Sequence, residues 1–329
     1  MVKAAVLAAL EGAQGQYLSG QELAARLGVS RTAVWKAMAA LRADGLPIEA
    51  VTNRGYALSP TADLLHADAI RALLDPGPAR ALRIEVYDRL PGTNAALRAR
   101  AANGEDEGLV LIAQAQSAGR GRNGRSFFSP PGGLYMSILL RPTLGARQAV
   151  QLTVMAAVAG ARAAEEIAGV PIGIKWVNDL WKDGKKVCGI LTEASLDVES
   201  GLLDYAVVGP GFNLVPPSDG WPAELRGIAG SLFDTAPPPG TRARLAAAFL
   251  NAFWPLYHSG RLRNFLPEYR QRQVLPGRHV EVRPGRAAPY GATVQGVDDA
   301  CRLLVRPDGQ DTLIALSSGE VQILPEKTM

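Results

Sequence analysis

The chain is poor in the residues that build covalent or metal frameworks. Its 329 residues include two cysteines, Cys188 and Cys301, and three histidines, His66, His258 and His279. Neither cysteine belongs to a CxxC pair, so neither a disulfide scaffold nor a thiolate zinc site is expected. The histidines stand too far apart to give metal-ligand spacing. Long apolar runs are also missing: none reaches the ~18 residues that a membrane span needs. The opening MVKAAVLAALEGAQG carries a short apolar patch, but Glu11 and the amphipathic run after it read as a first helix rather than a secretion signal. A cytoplasmic protein with no membrane partner is expected. The charge imbalance is small, at +4, and by itself neither requires nor excludes nucleic acid. With 47% hydrophobic and 20% charged residues, the composition is that of a soluble globular chain, long enough for two or three domains.

Three segments follow from periodicity and turn chemistry. In residues 1–62, SGQELAARLGVSRTAVWKAMAALRADG divides into two short amphipathic helices. Ala24, Leu27, Val34, Met38 and Leu41 fall at helical spacing and face one core. Gly28 suits a left-handed helix stop, and Ser30 is a good N-cap for the second helix. IEAVTNRGYAL then reads as strand, turn and strand, a wing behind a helix-turn-helix. Six basic and four acidic residues leave residues 1–60 at only +2. The second helix, however, carries three basic residues and no acid from Arg31 to Arg42. Its N-terminal end would lie near base edges in a major groove, which makes Ser30, Arg31, Thr32 and Lys36, with Arg54 on the wing, candidate DNA contacts. A packing or dimerisation module is the other reading. SPTADLLHADAIRALLDPGPARAL reads as a linker with a short helix and a DPGP turn.

Residues 63–271 alternate strand-like runs (LRIEVYD, LVLIAQA, LYMSILL, IGIKWV, KKVCGILTEA, DYAVVGPGFNL) with two helices. TNAALRARAAN has Thr93 as its candidate N-cap, and RQAVQLTVMAAVAGARAAEEIAG is apolar enough to be buried. Few helices between neighbouring strands imply an α+β domain with a mixed sheet. Residues 272–329 give short strands with a turn about every ten residues, as in a small β-barrel of the SH3 type. The chain is thus expected to be a multidomain α+β protein.

The chemistry gathers in two stretches. From Gly108 to Ala164 there are six arginines and no acid. Three of them, Arg120, Arg122 and Arg125, fall within AGRGRNGRSFFSP, where no local partner offsets their repulsion. Such a loop awaits an anion. Gly119, Gly121 and Gly124 let backbone amides approach it, and arginine favours forked contact with phosphate or carboxylate. Phe127 and Phe128 suit stacking on a flat ring. A nucleic-acid loop or a solvated turn remain open. The second stretch, KWVNDLWKDGKKVCGILTEAS, reads as strand, turn and strand with Asp183-Gly184 at a hairpin tip. Lys186 is placed to hold a reacting anion. Asn178 and Asp179 suit a nucleotide base or a magnesium ion, although Asp179 also reads as an ordinary turn residue.

GRGRNGRSFFSP together with KWVNDLWKDGKKVCGIL resembles the biotin protein ligase family, and the winged helix in front resembles the bifunctional form that is also a biotin operon repressor. The resemblance covers essentially the whole chain. It implies that biotin and ATP, with Mg²⁺, give biotinyl-5′-AMP, and that a carrier-domain lysine then takes the biotin. It implies Arg120, Arg122 and Lys186 as catalytic residues. Thr93, Asn94, Gln116, Gly119, Arg120, Gly121, Arg122, Lys186 and Gly189 would line the biotin pocket. Arg122, Phe127, Asn178 and Asn213 (in GPGFNL) would hold the adenylate, and Asp179 would contact Mg²⁺. It also implies operator DNA as a partner and a homodimer when the adenylate is bound. Two positions depart from the family pattern: Val177 stands where proline is usual, and Gly92 where serine is common. The alternatives are a ligase whose winged helix does not read DNA, a biotin sensor without catalysis, and a lipoate ligase on a related fold.

Overall fold

The computed structural model describes residues 2–13, 15–43, 48–59, 65–283 and 288–324. The expected boundary at 62/63 lies outside them. By internal contacts the chain forms two compact units, Met1–Leu73 with Pro237–Arg244, and Leu74–Ala236 with Leu245–Met329.

The first unit contains α1 (Val2–Gly12), α2 (Gly20–Leu27), α3 (Arg31–Ala43), the hairpin β1 (Ile48–Val51) with β2 (Gly55–Leu58), and α4 (Ala67–Arg71). Ser19 Oγ accepts from Glu22 N at 3.0 Å to start α2, and Gly28, at φ 62°, ends it. Ser30 Oγ accepts from Ala33 N at 3.1 Å to start α3. Ala24, Val34, Met38 and Leu41 are buried with Val6 and Leu10 from α1, and Leu27 packs at the edge of this core. The winged helix-turn-helix is therefore present. Leu18 and Tyr56 exchange backbone hydrogen bonds at 2.8 Å, which adds a third extended segment to the wing. Only glycine fits at position 55, because a Cβ there would lie 2.2 Å from Leu18 O.

The second unit opens with α5 (Pro76–Ala81). The expected DPGP turn is instead the start of this helix: Asp75 is its N-cap and Pro76 its first residue, where proline's missing N–H costs nothing. A seven-stranded sheet follows, built from β3 (Arg83–Leu90), β4 (Leu109–Gln116), β5 (Leu134–Leu140), β6 (Gly173–Lys175), β7 (Asp179–Lys182), β8 (Lys185–Leu196) and β9 (Leu203–Phe212). Its order is β3-β4-β5-β9-β8-β7-β6. β3 and β4 are parallel and every other pair is antiparallel, so the sheet is mixed as expected. At the β7–β8 tip Asp183 (φ 50°) and Gly184 (φ 76°) are both left-handed, the backbone of a type I′ hairpin turn.

α6 (Thr93–Ala102) is the crossover from β3 to β4 and buries Leu97 and Ala101 against Leu109, Leu111, Leu139 and Val207. α7 (Val150–Ala168) is buried along most of its length and meets the sheet at Leu180 and Phe212. Since successive strand residues face opposite sides, Val207 and Phe212 put α6 and α7 on opposite faces. α8 (Thr241–Ser259), whose first four residues belong to the first unit, has no counterpart among the elements expected from the sequence. Its apolar residues run around the whole circumference, and Pro255 interrupts the pattern. α9 (Leu266–Gln271) leads to a five-stranded antiparallel sheet of β10 (His279–Arg283), β11 (Tyr290–Val297), β12 (Leu303–Pro307), β13 (Ile314–Leu316) and β14 (Glu320–Ile323), in the order β13-β12-β11-β10-β14. Among the described residues no pairing closes β13 onto β14, so the small β domain is an open sheet rather than a ring. Trp176 Nε1, between β6 and β7, donates to Cys301 O at 3.0 Å, tying this sheet to the larger one, and Arg270 Nε of α9 donates to Val297 O at 2.8 Å.

Candidate active site

Along β9 the residues facing α6 include Gly209 and Gly211, and Gly189 of β8 pairs with Gly211. Three positions on one sheet face thus carry no side chain, and the face becomes the floor of a cavity of about 730 Å³. The glycines are required by what lies above them. A Cβ at Gly209 would stand 1.9 Å from Asn94 Oδ1, one at Gly211 2.7 Å from Phe127 Cε1, and one at Gly189 2.8 Å from Lys186 Nζ.

The Gly209 end is uncharged at its centre. Thr93 N donates to Gln116 Oε1 at 2.8 Å, and Gln116 Nε2 donates to Ser129 Oγ at 2.9 Å. Ser137 Oγ lies 2.7 Å from Thr93 Oγ1 and 2.6 Å from Asn94 Oδ1. Thr93 Oγ1 also lies 3.2 Å from Gln116 Oε1. Each hydroxyl has one proton and the amide oxygens only accept, so Ser137 donates to Asn94 and takes the proton of Thr93, at the expense of the longer Thr93–Gln116 contact. Asn94 Nδ2 then donates to Leu191 O and to Glu193 at 3.0 Å, and Arg98 holds Glu193 at 2.6 Å. Thr93 Oγ1 and Gln116 are left as fixed neutral hydrogen-bonding groups at the cavity wall. The expectation that Thr93 caps α6 is corrected: the N-cap is Gly92, with no side-chain cap, and the threonine hydroxyl is committed to Ser137.

The Gly211 end is cationic. Lys186 Nζ lies 2.7 Å from Asp179 Oδ1 and 5.8 Å from the centre of the Phe127 ring. That carboxylate oxygen is buried and makes an ion pair, but no contact with hydrogen-bond geometry. Arg122 donates to Asn178 Oδ1 at 3.2 Å, while Asn178 Nδ2 donates to Ile190 O at 2.9 Å. Asn178 therefore aims Arg122. Asn213 is buried, and its Nδ2 donates to Gly230 O at 3.1 Å, tying the loop after β9 to the cavity wall. Phe127 seats its ring over Gly189 and Gly211, with its edge toward Tyr135 at 6.4 Å.

The arginine loop has partners that its local sequence hides. Arg125 pairs with Glu320 of β14, 195 residues away. Arg120 is exposed and has no ion-pair or hydrogen-bond partner among the described residues. Gly119 is buried where a Cβ would lie 2.4 Å from Phe127 O, and Gly121 lines the cavity. Thr93, Asn94, Gln116, Arg120, Arg122, Lys186, Gly189, Phe127, Asn178, Asp179 and Asn213 all line the same cavity; Gly119 lies behind it.

Several residues in or behind the cavity wall were not singled out by sequence: Ser137 lies behind it, whereas Lys175, Trp181 and Trp221 line it. Ser137 is the one polar residue in LYMSILL, a signal that could have found it. Lys175 and Trp181 sit inside the quoted KWVNDLW. Burial pushes the Lys175 ammonium below the usual lysine range, with Asp179 and Glu320 opposing the shift. Its Nζ stands 5.0 Å from the Trp181 ring, whose buried N–H has no hydrogen-bond partner among the described residues. Trp221, against Phe128 at 6.3 Å, gave no sequence signal.

In the first unit Arg31, Thr32, Lys36 and Arg54 are exposed. The Ser30 hydroxyl is used as the α3 cap, and the Arg54 guanidinium lies 4.6 Å from the centre of the Tyr17 ring.

Residues 87–213 match the family model described as Biotin/lipoate A/B protein ligase family, and residues 3–57 match an HTH domain. The chain is 34% identical over 297 residues to the bifunctional ligase/repressor BirA of Bacillus subtilis, covering 89% of this chain and 90% of that one. It is 30% identical over 306 residues to the bifunctional ligase/repressor BirA of Escherichia coli, covering 90% of each. The fold resembles that of the biotin protein ligase from Aquifex aeolicus in complex with biotin and ATP, with a TM-score of 0.60 at 22% identity over 74% of this chain and 98% of that one.

Proposed function

Because the chain belongs to the biotin protein ligase family, in its bifunctional ligase and repressor branch, we propose that it joins biotin to ATP as biotinyl-5′-AMP, transfers the biotin to a lysine of a carrier domain, and represses transcription from an operator. One observation carries the ligase reading. A neutral hydrogen-bonding end (Thr93, Gln116) and a cationic end (Lys186, Arg122) face each other along one glycine floor. Biotin has a neutral ureido ring at one end and a carboxylate at the other.

The chemical problem is anion on anion. The biotin carboxylate attacks the α-phosphate, the bond to the β-phosphate breaks and pyrophosphate leaves, which is possible only when both charges are offset. Lys186 and Arg122 supply fixed positive charge there, and Arg120, unpartnered, adds a third. Fixed donors of this kind stabilise the extra charge that develops at phosphorus. Phe127 covers the floor and keeps water from the mixed anhydride. Asn178 and Asn213 form the adenine side, chiefly by holding Arg122 and the loop after β9. The acceptor amine then attacks the biotinyl carbonyl, and AMP leaves.

Mg²⁺ is implied as the companion of ATP. Asp179 fits as its one protein contact, since its buried Oδ1 has an ion-pair partner and no hydrogen bond. Among the described residues no three His, Cys, Asp or Glu side chains stand together, so the ion's other ligands would be phosphate and water. When bound, it would neutralise triphosphate charge.

Repression rests on Arg31, Thr32 and Lys36 on α3, with Ser30 setting the helix start and Arg54 on the wing. A homodimer in the adenylate-bound state would present two such helices to a two-part operator. Incubating the protein with ATP and either biotin or lipoate, plus a carrier domain, tests the ligase reading. Transfer of lipoate and not biotin would overturn it. Selection of genomic fragments with and without biotin plus ATP tests repression: enrichment of one inverted repeat only with both ligands is expected.

A further inference from the structure

α3 buries Val34, Ala37, Met38 and Leu41 on one side. Its other side presents Thr32, Trp35, Lys36 and Ala39, all exposed, at the i, i+3, i+4, i+7 positions of a single stripe. Trp35 is 62% exposed at the centre of that stripe. Among the described residues its ring has no aromatic, cationic or hydrogen-bonding partner. The stripe includes Lys36 and is flanked by Arg31, and no acid lies on α3. The helix thus sets a large apolar ring inside a cationic surface, which suits a polyanion carrying a buried apolar mark.

A DNA major groove is such a surface. It admits one helix, and the only apolar group that a base edge shows there is the thymine C5-methyl. Resting on the DNA-reading half of the proposed function, we infer that Trp35 is a specificity-determining residue that reads thymine methyls in the operator. Thr32 and Lys36, one turn before it and one residue after it, hold the helix against the flanking phosphates and bases. Arg42 takes no part, since its guanidinium donates to Ile48 O at 3.0 Å.

The test uses the full-length protein with biotin and ATP. Fragment selection first gives the wild-type site. Each thymine of that site is then replaced singly by deoxyuridine, which removes only the methyl. One position in each half-site should weaken wild-type binding by about 4-fold, the worth of one buried methyl. Trp35→Ala should bind the unmodified site roughly 10-fold more weakly and show no further loss with uracil at that position. Trp35→Phe should keep part of the discrimination. Unchanged circular dichroism and melting would show that the variants fold. Wild-type affinity in Trp35→Ala, or an undiminished uracil penalty in it, overturns the inference and leaves DNA reading standing. Loss of dimer in sedimentation with the uracil penalty intact also overturns it, and assigns the ring to a second copy of the chain. Selection of no site by the wild-type protein at low salt overturns DNA reading itself, and this inference with it.

Discussion

Lys186 Nζ stands 2.7 Å from Asp179 Oδ1 across the β7–β8 pair, with Gly189 directly beneath the ammonium. The aspartate fixes where the positive charge sits, and the glycine leaves room for it. Lys186→Met removes the charge and should slow adenylate formation by about 10²-fold, the usual cost of losing one such donor. Pyrophosphate release measures it. Asp179→Asn leaves the charge but removes both its anchor and the carboxylate proposed to contact Mg²⁺, so a smaller loss that added Mg²⁺ partly restores is expected. An Asp179→Asn protein slower than Lys186→Met would show that the carboxylate acts on the nucleotide directly.

Phe127 occupies its seat only because position 211 has no side chain. Gly211→Ala puts a Cβ 2.7 Å from Phe127 Cε1. The ring must move, and overpacking of this kind costs about 1–3 kcal/mol. Denaturant unfolding should show that loss in Gly211→Ala alone. Adding Phe127→Ala removes the clash, so the double variant should be more stable than the sum of the two single changes predicts. Strict additivity would mean that the ring does not rest on the glycine floor.

These contacts mark where the sequence is legible and where it is not. Gly28, Ser30 and the apolar spacing around them act within one or two turns, so the winged helix can be read directly. Asp183-Gly184 likewise specifies its hairpin locally. GRGRNGR can be read as an anion loop, but its salt bridge cannot: Glu320 lies 195 residues from Arg125. Thr93 looks like a helix cap because the rule for caps is local, whereas its hydroxyl is taken by Ser137, 44 residues on. α8 is hidden for another reason. A helix buried on all sides has no polar stripe to give it a period.

Lys175 gives the protein a pH dependence of known sign. Burial lowers its folded value below that of the unfolded chain. Between the folded value and about 10.4, the unfolded state therefore binds more protons than the folded state. Stability contributed by this group rises with pH through that window. Lys175→Met removes the buried charge. Urea unfolding from neutral to alkaline pH should show the variant's advantage over wild type shrinking as pH rises. A constant or growing advantage would mean that Lys175 is not desolvated in the folded protein.

The sequence resemblance implies serine as the common residue at position 92, and the structure has room for a hydroxyl there. Its backbone is extended, at φ −171° and ψ 135°, which serine adopts without strain. A Cβ there would meet Ala118 O at 3.6 Å and Gln116 Oε1 at 3.9 Å, ordinary contact distances. Gly92 is also the N-cap of α6 and lines the cavity. Gly92→Ser should thus do two separable things. Replacing a glycine cap by serine stabilises by only a few tenths of a kcal/mol, so the melting temperature should barely change. A new neutral hydrogen bond to the ligand is worth about 0.5–1.5 kcal/mol, so calorimetry should show biotin bound about 2- to 10-fold more tightly. Tighter binding without a stability change means that the hydroxyl reaches the ligand. A small stability gain without tighter binding means that it is spent on capping α6, and that the ureido ring is held by Thr93 and Gln116 alone.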